Sequence, residues 1–168
     1  MSTFTITPTS FTTPDPGLGG SSVTGASNTG HAATTALGLN GTTVDRTCIW
    51  QSFPAVGGQI LGVTLKLDWT EDGALTGAGS TNQFLIQYSI NGGGAWTDII
   101  NHSNITSASG PTTASVTLSV SQDLTQVRVR DFLEGHTNAN PRSASVTGTV
   151  ANIKIEVTIV DGVPVCMW

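Results

Sequence analysis

A chain of 168 residues is long enough for one domain with a substantial core. Hydrophobic residues make up 38% and charged residues only 10%; the balance goes to Thr, Ser, Gly and Asn, which suit strands and turns and argue against a helical bundle. A net charge of -5 and six scattered Lys and Arg exclude a basic surface able to track a phosphate backbone, so no nucleic-acid partner is expected.

Residues 1–44 are rich in Thr, Ser, Gly and Ala, with Pro8, Pro14 and Pro16 near the start. Thr3–Thr7 alternates like a short strand, and turn formers without periodicity follow it. This region is expected to form an extended N-terminal arm, with residues 45–168 as a β-sandwich domain. Strands are expected at Cys48–Phe53 (ending at Pro54), Gln59–Trp69, Asn82–Ile90 and Ala95–Ile100. Val63, Leu65 and Leu67 alternate strictly with polar neighbours, so that strand has one buried and one wet face. The stretch after Trp69, TEDGALTGAGST, reads as a loop.

Thr113–Val120 alternates at Val116, Leu118 and Val120. In Gln126–Leu133, Val127, Val129 and Asp131 share one face, and Arg128, Arg130 and Phe132 the other. EGHTNANPRSAS reads as a loop. Ile153, Ile155, Val157 and Ile159 then recur at period two opposite Lys154, Glu156 and Thr158, the clearest strand in the chain. Seven or more closely spaced strands without a convincing helix indicate an all-β sandwich or barrel, and the expected fold is a two-sheet antiparallel sandwich of jelly-roll type.

Ser89–Trp96, SINGGGAW, resembles the Asp-box pattern Ser-x-Asp-x-Gly-x-Thr-Trp, with Asn91 in the Asp position and Ala95 in place of Thr. Its logic is a hairpin: the Asx side chain bonds the turn backbone, Gly takes positive φ, and Trp folds over the loop. In the sialidases that this motif resembles, such boxes lie away from the catalytic site, so it carries no expectation of activity. Asp68, Glu71 and Asp72 form one acidic group, and Asp131 with Glu134 another. A glycosidase pair or a calcium site would need such groups to converge, and the spacing matches no EF-hand. His31, His102 and His136 are dispersed, and no zinc motif or G-x-S-x-G elbow occurs, so no catalytic residue, metal or cofactor is expected.

Trp69, Tyr88 and Trp96 are candidates for a sugar-stacking surface. Asn40, Asn101 and Asn104 head sequons but read as ordinary turn residues. Cys48 and Cys166 are the only cysteines, and spacing alone does not decide whether they pair. The opening MSTFTITPTS lacks a basic region followed by an apolar run, so no secretory leader is expected, and no stretch is apolar enough for a membrane span. The apolar ending GVPVCMW needs a surface to dock on. Phe4, Ile6 and Phe11 within Met1–Thr12, and Val165, Met167 and Trp168 within Val163–Trp168, are the candidate intersubunit contacts.

The run WQSFPAVGGQILGVTLKLDW and the late strand ANIKIEVTIV resemble the jelly-roll sandwiches of galactose-binding-like and carbohydrate-binding modules. Similar β-sandwiches serve tailed bacteriophages as capsid decorations and tail or fibre components. The resemblance spans residues 47–160 in style, without a specific motif. It implies a non-enzymatic structural protein of a phage virion, assembled in the host cytoplasm, whose partners are other virion proteins and copies of itself. The alternative it implies is a carbohydrate-binding or adhesin module that takes a cell-surface glycan.

Overall fold

The computed structural model describes residues 1–12, 22–24, 27–34, 42–137 and 142–160, with side chains described in 1–12, 46–137 and 142–160. The strands are β1 (Ser2–Ile6), β2 (Ser10–Thr12), β3 (Ser22–Thr24), β4 (Ser27–Thr34), β5 (Thr42–Gln51), β6 (Ile60–Thr76), β7 (Thr81–Ser89), β8 (Thr97–Ser103), β9 (Ser109–Leu118), β10 (Arg128–Thr137) and β11 (Ser143–Ile159). A 3-10 turn, Leu124–Gln126, precedes β10 and is capped by Asp123. No helix among the described residues is long and apolar enough to cross a membrane.

The strands form two antiparallel sheets. One runs β3-β4-β11-β6-β9, with β1 also on β11; the other runs β2-β5-β10-β7-β8. From β4 onward every connection crosses between the sheets except the β7–β8 hairpin. One sheet therefore takes the first, eighth, third and sixth of these strands, and the other takes the second, seventh, fourth and fifth. That winding is a jelly roll.

The period-two residues face one another across the gap between the sheets. Val63, Leu65, Leu67, Ile153, Ile155 and Val157 from one sheet and Trp50, Phe84, Ile86, Val129 and Leu133 from the other are buried. Asp131 is buried among them because its Oδ1 accepts the backbone N–H of Cys48, its cross-strand partner, at 2.8 Å. Cys48 is a free thiol in this core, and burial, together with the nearby Asp131, pushes its pKa up. Gly148 belongs here because a Cβ would meet the Phe84 ring at 2.6 Å.

Several expectations change. The strands within residues 1–44 belong to the two sheets: β1 pairs with β11, β2 with β5, and β4 with β11. β5 runs across the 44/45 boundary. The expected loop after Trp69 is instead the second half of β6, because β11 supplies partners as far as Thr76. β10 likewise continues through Glu134–Thr137, paired with β5.

Candidate functional site

The Ser89–Trp96 hairpin folds as its residue types dictate. Ser89 Oγ donates to Asn91 Oδ1 at 2.8 Å and accepts the Gly93 N–H at 3.0 Å, while Asn91 Oδ1 also accepts the Ala95 N–H at 2.9 Å. Gly92 and Gly93 have φ of 71° and 97°, where a Cβ is disfavoured. Trp96 folds back beneath Arg130, whose guanidinium carbon lies 4.3 Å from the ring centroid.

From Arg130 a chain of polar contacts crosses the outer face of β10, β7 and β8. Arg130 Nε donates to Gln87 Oε1 at 2.7 Å, and Gln87 Nε2 donates to Asp98 Oδ1 at 2.5 Å. Asn101 Nδ2 donates to Asp98 Oδ2 at 2.7 Å, and Gln83 Nε2 to Asn101 Oδ1 at 3.2 Å. The bonds from Gln87 and Asn101 hold the Asp98 carboxyl below the usual carboxylate range.

The expected acidic group separates in space. Asp68 stays on the outer face, bonded by Asn152 Nδ2 at 2.7 Å and Thr113 Oγ1 at 2.6 Å, and these two bonds lower its pKa. Beside it Lys66 pairs with Glu156 at 2.7 Å. Glu71 points inward, its side chain 6% exposed, and its Oε1 meets His102 Nδ1 at 2.7 Å. Asp72 bonds the Gly73 N–H. Asp131 lies in the core. Among the described residues, no three His, Cys, Asp or Glu side chains gather as a metal site would require.

Trp69 is 5% exposed, so its faces are covered and offer no stacking platform. Tyr88 packs against the core, and Trp96 is half-buried under Arg130. The three aromatics do not form one surface: Trp69 and Tyr88 lie on inward faces, whereas Trp96 belongs to the outer network. Ile6 is buried in the chain's own sandwich with Phe4 packed against it, because β1 is paired with β11. Phe11, on β2, is 41% exposed. Cys166, Val165, Met167 and Trp168 lie outside the described residues.

Residue spacing did not point to the edge strands. Among the described strands β9 ends one sheet and β8 ends the other. Ser109–Leu118 contains no charged residue, and its outward side chains, including Thr113, Ser115 and Thr117, are exposed. The usable signal in the sequence is the absence of Asp, Glu, Lys and Arg from the whole strand.

No protein-family model matches the chain, and no curated protein does. Solved structures give remote likenesses. A chain of infectious bursal disease virus, Gx strain, is 14% identical with a TM-score of 0.32; the likeness covers 97% of this chain and 34% of that one, so this chain spans about a third of its length. A chain of Broad Bean Stain Virus is 11% identical with a TM-score of 0.32, covering 92% and 91% of the two chains. The family 11 carbohydrate-binding module of Clostridium thermocellum, solved with a β-1,3-1,4-mixed-linked tetrasaccharide, is 16% identical with a TM-score of 0.29, covering 86% and 94%.

Proposed function

We propose that the chain is a non-enzymatic structural subunit that assembles with copies of itself, and that its place is a bacteriophage particle, as a capsid decoration or tail component. The observation that supports this reading is the outer edge of β9. It is ten residues long, exposed along most of its length, and free of charge. An edge strand presents unpaired N–H and C=O groups, and monomeric proteins guard such edges with charges, bulges or covering segments. In β9 both the pairing irregularity and the strand's one proline, Pro111, fall at the Ser109 end, beside Trp69 and Glu71. From Thr112 to Leu118 the register on β6 is continuous, which suits the strand to accept another on its far side. Phe11, on the edge strand of the second sheet, is a further contact.

Sedimentation of the full chain over a concentration series tests this. The wild type is expected to associate, and Thr117→Lys, which places a charge on the exposed edge, is expected to weaken association about tenfold or more. Equal association of the two proteins would remove β9 from the account.

A second reading, glycan binding, is favoured by the Trp96–Arg130–Gln87–Asp98 face, which joins an aromatic ring to a row of donors and acceptors. Glycan-array binding that disappears in Trp96→Ala would support it, and array binding unchanged by that substitution would exclude this face.

A further inference from the structure

Resting on the β9 edge reading above, we propose that the strand received there is β9 of a second copy. It lies antiparallel about a twofold axis through Ser115, so that the two β3-β4-β11-β6-β9 sheets become one. The sheet ends that a second copy offers differ in length and charge. Strands β2 and β3 have three residues each, and β8 carries Asp98 and pairs irregularly with β7 between Ile86 and Gln87. Strand β9 has ten residues, no charge, and a continuous register on β6 from Thr112 to Leu118. Of the described ends it is the one that can lie along β9 without a charge in the contact or a broken ladder.

Symmetry restricts the register. Directly opposed residues of antiparallel strands project from the same side of the sheet, and a twofold axis perpendicular to the sheet keeps each residue on its own side. The axis must therefore pass through a residue and not between two. Centred on Ser115, the copies pair Thr112 with Leu118, Thr113 with Thr117, Ala114 with Val116, and Ser115 with itself. This register uses the whole regular segment and stops short of Pro111, which has no N–H to offer. Moving the axis one residue toward Ser109 sets Pro111 opposite Thr117. Moving it one residue the other way sets Thr113 opposite Ser119, past the end of the strand.

The side chains agree with the Ser115 register. On the exposed side, Thr113, Ser115 and Thr117 read Thr-Ser-Thr in either direction, so each hydroxyl meets a hydroxyl in a favourable cross-strand pair. On the inward side Ala114 faces Val116, a small side chain opposite a larger one. Both are half-buried and pack against the core, and the second copy covers apolar surface that they still expose. Lys66, beside Ser115 on β6, is paired with Glu156 at 2.7 Å. Its counterpart lies three strand spacings away, roughly 14 Å, too far to oppose the contact at ordinary salt.

Disulfide trapping of single-cysteine variants tests the register. Each variant is the full chain with Cys166→Ser; Cys48 is fully buried and stays in place. Opposed Cα atoms in antiparallel strands lie about 4.5–5.5 Å apart, within the span of a disulfide. With copper phenanthroline as oxidant, Ser115→Cys is expected to yield a covalent dimer. Thr113→Cys and Thr117→Cys are each expected to stay monomeric on a denaturing gel, because like positions are roughly 14 Å apart along the strands. A mixture of those two variants is expected to cross-link. Cross-linking of all three alone (the pattern of a parallel pair), of Thr113→Cys or Thr117→Cys but not Ser115→Cys, or of none, would overturn the proposal. If Thr117→Lys still weakens association in that case, the edge reading stands and only its partner strand is wrong; if it does not, both fall.

Discussion

The two sheets end in strands of opposite character. β8 carries Asp98, which is bonded by Gln87 and Asn101, and β8 has a pairing irregularity against β7 between Ile86 and Gln87. β9 carries no charge, and its side chains along Thr112–Leu118 make one polar contact of note, Thr113 to Asp68. Charge and irregular pairing are the usual means of discouraging a further strand. Of these two edges β8 carries a charge and β9 carries none, with its own pairing irregularity confined to the Ser109 end, and β9 is where assembly is proposed.

The largest expected effects concern the core beneath the two edges. Phe84 on β7 supports β8, and Leu65 on β6 supports β9; both are fully buried. Urea unfolding is expected to show losses of about 3–5 kcal/mol for Phe84→Ala and about 2–5 kcal/mol for Leu65→Ala. Comparable losses would mean that the edges differ in surface and not in support. A loss near zero for Leu65→Ala would mean that β9 is not anchored as described.

Next is a reciprocal charge test. Thr117→Lys in β9 is expected to reduce association, whereas Thr97→Lys in β8, also exposed, is expected to leave the sedimentation profile unchanged. Identical behaviour of the two variants would erase the distinction between the edges. A smaller effect is expected in the hairpin that carries β8. Asn91→Ala removes the acceptor for the Ala95 N–H and the Ser89 hydroxyl, and a loss of about 1 kcal/mol is expected by thermal or urea unfolding.

The smallest effect is the pH response of Asp98. Its folded pKa is lowered from 3.8, so its contribution to stability is present above that value and is lost as pH falls through the folded pKa. Because the carboxyl is exposed, the change in stability is slight. Carboxyl NMR is expected to place its midpoint below 3.8, with Gln87→Ala raising it.

The strands legible in the sequence are those in which one face is buried and the other wet. Ile153–Ile159 and Val63–Leu67 announce themselves because apolar residues alternate with polar ones, and both face the core as expected. The second half of β6 was not legible, since Glu71, Asp72 and Gly73 are turn formers by local preference. They are extended because Gly148, Thr147 and Val146 of β11 lie opposite them, a pairing made across more than seventy residues. The hairpin at Ser89–Trp96 was readable because all of its hydrogen bonds are local. The corner of Trp69, Glu71 and His102 was not, because His102 arrives from another sheet. Trp69, expected as an exposed stacking group, is buried because it continues the inward series of Val63, Leu65 and Leu67.

Backbone amide exchange in β8 and β9 at low and high protein concentration tests the central claim most directly. Amides on the outer side of β9, between Thr112 and Leu118, are expected to exchange freely in dilute solution and to become protected as concentration rises, while those of β8 stay unchanged. β9 amides that exchange at the same rate at both concentrations would contradict assembly through this edge.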